Sequence, residues 1–276
     1  MSAARARAGF LGGGIGFRRP HRDALLSRDD DAPRPALLEL MACHFYAEPE
    51  RARPLAERYP VVLHDVSLSL GTAAVDDVEL LRRVRAVVEV ARPALFSEHL
   101  SLTRSPQGID LGHLAPLWYT EEALALVIDR VRRWQDALCV PIALETITQP
   151  FVIPEADLDE PAFLRAVCEA TGCGVLLDLT NLLVNARNLG FDARLAEYPL
   201  EHVVAAHLAG GTEHGGYWVD SHSEPVCDES FRLLSHLKER APLVAVVVER
   251  DERLPPLDEL VREAKRAEAV VRGEEP

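Results

Sequence analysis

The 276-residue sequence predicts an α/β protein of the (β/α)8 TIM-barrel class, built as a single domain. Three observations carry that expectation. The length is near the roughly 250 residues of one such barrel. Eight short apolar runs alternate with amphipathic helical patterns, which implies a parallel sheet that closes. Most of the runs are continuous rather than alternating, as parallel strands covered on both faces require.

The strand candidates span 14–17, 37–42, 61–67, 95–100, 141–147, 174–179, 203–208 and 243–249. Gly12 to Gly14 stand at the front of the first, and the crossover that follows it, 21–35, is rich in Asp, Arg and Pro and reads as an irregular loop. Helix candidate 75–91 sets Val78, Leu81, Val84, Val87 and Val88 near one stripe. Helix 120–138 opens on Thr120 as N-cap, with Glu121 and Glu122 favouring the positive end of the helix dipole. Helix 161–171 has Pro161 in its first turn and ends before Gly172. Helices 228–240 and 257–271 complete the series. The longest irregular connection, 103–119, follows the fourth strand, and a loop of that length in a compact domain suggests a lid or binding segment. No G-x-G-x-x-G stands at a strand-to-helix turn, which removes the usual reason to prefer an open doubly wound sheet. One domain over 1–276 is expected, with irregular residues 1–9 and a tail from about 272.

Composition narrows the partners. The formal net charge of −14 argues against nucleic acid, whose binding relies on clustered Lys and Arg. No apolar stretch of about 18 residues and no signal-peptide core occur, so neither a membrane nor export is expected and a cytoplasmic location is inferred. The odd set Cys43, Cys139, Cys168, Cys173 and Cys227 has no C-x-x-C pair, so buried or half-buried thiols are expected rather than a disulfide framework.

The informative feature is where polar residues end the apolar runs. His64-Asp65 closes the third strand, Ser97-Glu98-His99 the fourth, Glu145 the fifth, Asp178 the sixth with Asn181 just beyond, and His207 the seventh. Asp220-Ser221-His222 follows in a loop, and Glu249-Arg250-Asp251 ends the eighth strand. Any one of these alone reads as a solvated or hydrogen-bonded terminus. A barrel brings all its C-terminal strand ends around one axis. Carboxylates gathered there repel one another and resist desolvation unless cations neutralise them. A mixed imidazole and carboxylate set suits Zn, Fe or Mn and is too rich in imidazole for Mg or Ca. His202 and His236 read as structural, His113 and His214 lie on loops, and His21 and His44 follow strands one and two on the same rim.

In this order the residues resemble the apurinic-endonuclease and xylose-isomerase barrel superfamily, with Asn181 where the endonucleases carry a His. The closer resemblance is to the multinuclear non-heme iron-dependent oxidative enzymes, which include the iron subunit of the methanobactin oxazolone–thioamide synthase and peptide-cysteine-modifying relatives. Its motifs are Gly14-Ile15-Gly16-Phe17-Arg18, His64 with Ser67-Leu68-Ser69-Leu70-Gly71, Ser97-Glu98-His99-Leu100 and Tyr119-Thr120-Glu121-Glu122-Ala123. Further on come Leu177-Asp178-Leu179-Thr180-Asn181, Val184-Asn185-Ala186-Arg187-Asn188, His207-Leu208-Ala209-Gly210, Asp220-Ser221-His222 and Glu249-Arg250-Asp251. The chain departs from the family at Gly211, Thr146 and Thr180, where relatives often carry His, Asn and Asn.

The resemblance implies two or three iron ions, mixed Fe(II)/Fe(III), with O2 as co-substrate. It implies one iron on Glu145, Asp178, His207 and Glu249, a second on His64 and His99 with a bridging oxygen of Glu145, and a third on Asn181, Asp220 and His222. The third would be the most labile, because a neutral amide oxygen is a weaker ligand than imidazole. Asp251, Glu98 and Asn185 are the candidates for supporting these ligands. The implied substrate is a ribosomally made precursor peptide, modified at a cysteine in natural-product (RiPP) biosynthesis, with a separate peptide-recognition protein as a possible partner. The alternatives are a metal-dependent phosphodiesterase or sugar isomerase of the same superfamily, and a metal-free binding scaffold.

Overall fold

The computed structural model describes residues 9–29, 31–73 and 78–274. In chain order the strands are β1 (Gly12–Gly16), β2 (Leu37–Met41), β3 (Val61–Asp65), β4 (Phe96–His99), β5 (Leu102–Arg104), β6 (Asp110–Ala115), β7 (Ile142–Glu145), β8 (Gly174–Asp178), β9 (Val203–Leu208), β10 (Gly210–His214), β11 (Tyr217–Glu224) and β12 (Ala245–Val248). The helices are α1 (Arg22–Ser27), α2 (Arg53–Arg58), α3 (Val78–Ala91), α4 (Glu121–Leu138), α5 (Glu160–Thr171), α6 (Leu179–Leu189), α7 (Asp228–Leu237) and α8 (Leu257–Arg272). Eight parallel strands close in the order β1-β12-β9-β8-β7-β4-β3-β2. The remaining four form two antiparallel hairpins, β5–β6 and β10–β11.

All eight expected strands are present, mostly shorter than the apolar runs. The first differs in kind: Gly12 and Gly13 lie inside β1, paired with Ala245 and Val246. Glycine is needed there because α8 crosses directly over the strand. A Cβ on Gly13 would stand 2.0 Å from the Ala264 carbonyl oxygen. The first crossover is irregular only after Ser27: before that a 3-10 turn at Arg19–His21 leads into α1, whose Leu25 is buried against the barrel. The connection at 103–119 is largely hairpin, and residues 110–113 of β6 are exposed. Asp220 and His222 lie on β11 rather than in a loop. Helix α6 follows β8 without any loop, because the Asp178 side chain caps it by accepting from the Thr180 and Asn181 amides at 2.6 and 2.9 Å. The expected N-cap of α4 is found, with Thr120 Oγ1 accepting from Ala123 N at 3.2 Å. Asp159 does the same for α5. Residues 74–77, the expected start of α3, and residues 1–8 lie outside the described part of the chain.

Two apolar shells follow from the strand period of two. Between strands and helices runs the larger core, holding Phe96, Phe163 and most of the leucines. Inside the barrel, Leu37, Val62, Leu95, Ala143, Leu176, Ala205, Ala245 and Val247 form a separate buried layer. This inner layer is the floor of the site. Moving two residues on from its members gives Glu39, His64, Ser97, Glu145, Asp178, His207 and Glu249. The same pleat that buries the apolar layer therefore aims these polar side chains into the mouth of the barrel. None of the five cysteines is in a disulfide, and Cys139 and Cys227 are exposed, contrary to the expectation of buried or half-buried thiols. Among the described residues no helix is long and apolar enough to cross a membrane.

Candidate metal centre

The strand-end residues converge. His64 Nε2 and His99 Nε2 each stand 3.2 Å from Glu145 Oε2. His207 Nδ1 lies 3.0 Å from Glu145 Oε1 and 3.0 Å from Glu249 Oε2. Two sets bring ligand atoms within 4.8 Å of one another: His64, His99 and Glu145, and Glu145, Asp178, His207 and Glu249. Beside them, His222 Nε2 is 2.8 Å from Asp220 Oδ1 and 3.9 Å from Asp178 Oδ2. Its Nδ1 is 3.6 Å from Glu249 Oε2. His222 has φ 47°, a left-handed conformation that a β-strand histidine adopts only where its surroundings enforce it.

The donor chemistry can be read atom by atom. Ser97 Oγ donates to the Leu63 carbonyl at 3.3 Å, so toward His64 Nδ1, 2.9 Å away, it accepts. His64 therefore carries its proton on Nδ1, and the Nε2 lone pair faces Glu145. Burial, with His99 and His207 nearby, holds His64 well below the usual imidazole range, so it is neutral. A bare lone pair opposite a carboxylate oxygen at 3.2 Å is repulsive unless a proton or a metal ion lies between them. Glu145 Oε2 makes no hydrogen bond, although the residue is 2% exposed. The same holds for Asp178 Oδ2, whose other oxygen caps α6. Asn181 donates through Nδ2 to the Thr146 carbonyl at 3.1 Å, leaving a buried Oδ1 without a partner. Orphaned buried oxygens are costly, and here they gather in one pocket. The donor set fits bound cations.

The ionisation pattern agrees. Burial raises Glu145 against the pull of His99 and His207. Burial and Asp220 push Asp178 up to about 6. Glu249 would also be raised by burial, but His207, His222 and Arg18 hold it well below the usual carboxylate range. Against burial, His207 is held well above its usual value by Glu249, Glu39 and Glu145.

Of the supporting residues, Asp251 stands 3.1 Å from His222 Nδ1 and accepts from Arg18 Nε at 2.8 Å. Glu98 is buried and accepts from the amides of Leu68 and His99, both at 2.8 Å, fixing the backbone that carries His99. The Asn185 side chain hydrogen-bonds backbone groups rather than any of the nine expected ligands. It donates to the Ile147 carbonyl at 3.1 Å and accepts from Gln149 N at 2.7 Å, bracing the segment after Glu145. His21 bonds the Pro255 carbonyl at 2.9 Å, and His44, His113, His214 and His236 are exposed outside the cluster.

Sequence reasoning missed Glu39. Its Oε1 lies 2.9 Å from His207 Nε2, it is 1% exposed, and its Oε2 has no hydrogen bond. A lone acid in the middle of the apolar run 37–42 was the available signal. Arg18 was missed as well: its guanidinium stands 3.5 Å from Glu249 Oε1.

The model of the family described as "RiPP precursor modification enzyme MbnB/TglH/ChrH" matches residues 12–272. A UPF0276 protein of Chromobacterium violaceum is 39% identical over 266 residues, covering 94% of this chain and 95% of its own length. One from Caulobacter vibrioides is 36% identical over 268 residues, covering 94% of each. Among solved structures, D-psicose 3-epimerase with D-tagatose from Clostridium cellulolyticum H10 superposes with a TM-score of 0.55 at 12% identity, over 94% of this chain and 98% of its own. A xylose isomerase-like TIM barrel protein from Mycobacterium smegmatis, in complex with magnesium, gives 0.52 at 14% identity, over 88% and 90%. At such identities these likenesses establish the barrel fold alone.

Proposed function

The chain belongs to the MbnB/TglH/ChrH family of RiPP precursor modification enzymes, and on that premise we propose that it oxidises a ribosomally made precursor peptide at a cysteine, using two or three iron ions and O2. The reading is supported above all by one observation: the Nε2 atoms of His64 and His99 each stand 3.2 Å from a carboxylate oxygen, Glu145 Oε2, that has no hydrogen bond. That arrangement calls for a cation and offers it borderline-soft ligands.

Glu145 would serve both ions, since its Oε2 faces His64 and His99 and its Oε1 faces His207. Asp178, His207 and Glu249 would complete one ion's set. Asn181, Asp220 and His222 would hold a third ion. When bound, iron supplies redox chemistry with O2 at the carbon beside the peptide's sulfur. The chain's own part is orientation. Ser97 fixes the His64 tautomer, Glu98 fixes the backbone at His99, and Asp178 is locked against the N-terminus of α6. Asp251 and Arg18 hold His222 and Glu249 from the rim side. A peptide-recognition partner protein belongs to the same reading and would dock on this rim.

The test is anaerobic iron reconstitution, exposure to air with the Cys-bearing peptide encoded beside the gene, and mass spectrometry of that peptide. An O2-dependent mass change that disappears when the cysteine is replaced by serine is expected. An iron-loaded protein that leaves the peptide unchanged, or that acts equally without O2 on a phosphodiester or a sugar, would overturn the reading.

A further inference from the structure

Beside the metal centre lies a second feature that the ligand set does not use. A cavity of about 750 Å3 opens between the connections that follow β1 and β2, on the C-terminal rim of the barrel. Arg18, Arg19, Arg22, Arg51 and His44 line it, and among the described residues Asp23 is the sole carboxylate in its lining. In a chain of net charge −14 such a concentration of cations is not an average surface.

The cations are poorly neutralised. Among the described residues Arg19 and His44 have no ion-pair partner. Arg22 is paired only with Asp23 at 3.4 Å, whose side chain is 96% exposed. Arg51 pairs with exposed Glu48 at 2.8 Å. Exposed pairs of this kind hold weakly and exchange readily for a better anion. Phe17 and Phe45, both buried and with ring centroids 6.2 Å apart, form an apolar wall that lowers the local dielectric. Arg18 joins the cavity to the metal centre, since it lines the one and touches Glu249 and Asp251 of the other.

We propose that this pocket binds a carboxylate of the substrate, held by Arg19 and Arg22, so that the residue to be modified lies over the metal centre. Guanidinium groups match carboxylates in planar, two-pronged geometry, and carboxylates are the anions an unmodified peptide carries in full at neutral pH. Two sources share this chemistry, a C-terminal α-carboxylate and an acidic side chain. That the ligand is a peptide rests on the function proposed above; the carboxylate preference of the pocket does not.

The experiment titrates the purified, metal-loaded chain, at constant ionic strength, with N-acetylglycine, N-acetylaspartic acid α-amide and neutral N-acetylglycinamide, reading thermal-shift midpoints. At least one carboxylate is expected to bind about tenfold or more tightly than the neutral amide, in line with charge-assisted hydrogen bonds. The stronger of the two identifies the source. In the R19Q/R22Q double variant, whose changes lie at the surface and spare Arg18, that preference is expected to vanish while metal content stays unchanged. Equal binding of all three compounds overturns the proposal. So does a double variant that binds carboxylates like the wild type, because the anion would then sit on the metals. Neither result bears on whether a precursor peptide is oxidised, so the two readings fail separately.

Discussion

Replacing Glu145 by Gln keeps its shape and removes the charge that faces His64 and His99 on one side and His207 on the other. In metal-free protein the substitution is expected to leave stability unchanged or raised near neutral pH. Burial lifts the Glu145 pKa, and a raised folded-state pKa means stability that is present below the unfolded value and lost as pH rises through the folded one. The amide removes that loss. With iron the order reverses. At a free Fe(II) concentration 100 times Kd, the wild type gains about 2.7 kcal/mol. With an unfolding entropy of about 2.1 cal/mol/K per residue, 276 residues have roughly 0.6 kcal/mol/K, so Tm rises by roughly 5 °C. Loss of the proposed bridging ligand should weaken binding by at least the ~100-fold that marks the upper range for outer-shell partners. The variant then gains only about 0.4 kcal/mol at the same iron concentration, less than about 1 °C. Anaerobic differential scanning calorimetry with and without Fe(II) reads both effects. An iron-induced shift in Glu145→Gln equal to that of the wild type would refute the assignment of Glu145 as a ligand.

Other outcomes follow from the same structure. The proposed third ion, whose set would include the neutral Asn181 oxygen, should be the first removed by a mild chelator, and Asn181→His should slow its release; metal analysis along a chelator series checks this. Glu160 is buried and accepts from Tyr119, Tyr198 and Gln149, and its pKa is raised, chiefly by burial. Its contribution therefore falls as pH rises from about 4.5 through the folded value, so urea titrations should show Glu160→Gln gaining on the wild type between pH 4.5 and pH 7.5. Phe163 is fully buried against Tyr119, with ring centroids 5.0 Å apart, and Phe163→Ala should cost about 3–5 kcal/mol by urea denaturation. Thr120→Ala removes the cap of α4 and should cost about 1 kcal/mol in the same assay.

The barrel was legible because apolar runs, caps and breakers agree with one another along the chain. Thr120, Gly172 and the eight runs each do locally what the sequence implies. The centre was legible because a strand end in a barrel has only one place to point. What stayed hidden has physical causes. Glu39 lies inside an apolar run, where periodicity reports the strand and says nothing of a carboxylate two residues above the floor. Helix α1 was masked by Asp, Arg and Pro, since its single buried anchor, Leu25, gives no stripe to detect. Gly12 and Gly13 read as preceding the first strand because close approach of α8, which only tertiary structure supplies, is what they serve. Arg18 pairs with Glu249 and Asp251 across more than 230 positions, a separation no local pattern encodes.

The most direct measurement is anomalous diffraction at the iron edge from crystals of the anaerobically reconstituted chain. Peaks are expected where His64, His99 and Glu145 meet and where Glu145, Asp178, His207 and Glu249 meet, with a weaker one beside Asn181, Asp220 and His222. A reconstituted crystal with no peak in the barrel mouth, or with iron bound only elsewhere, would contradict the account.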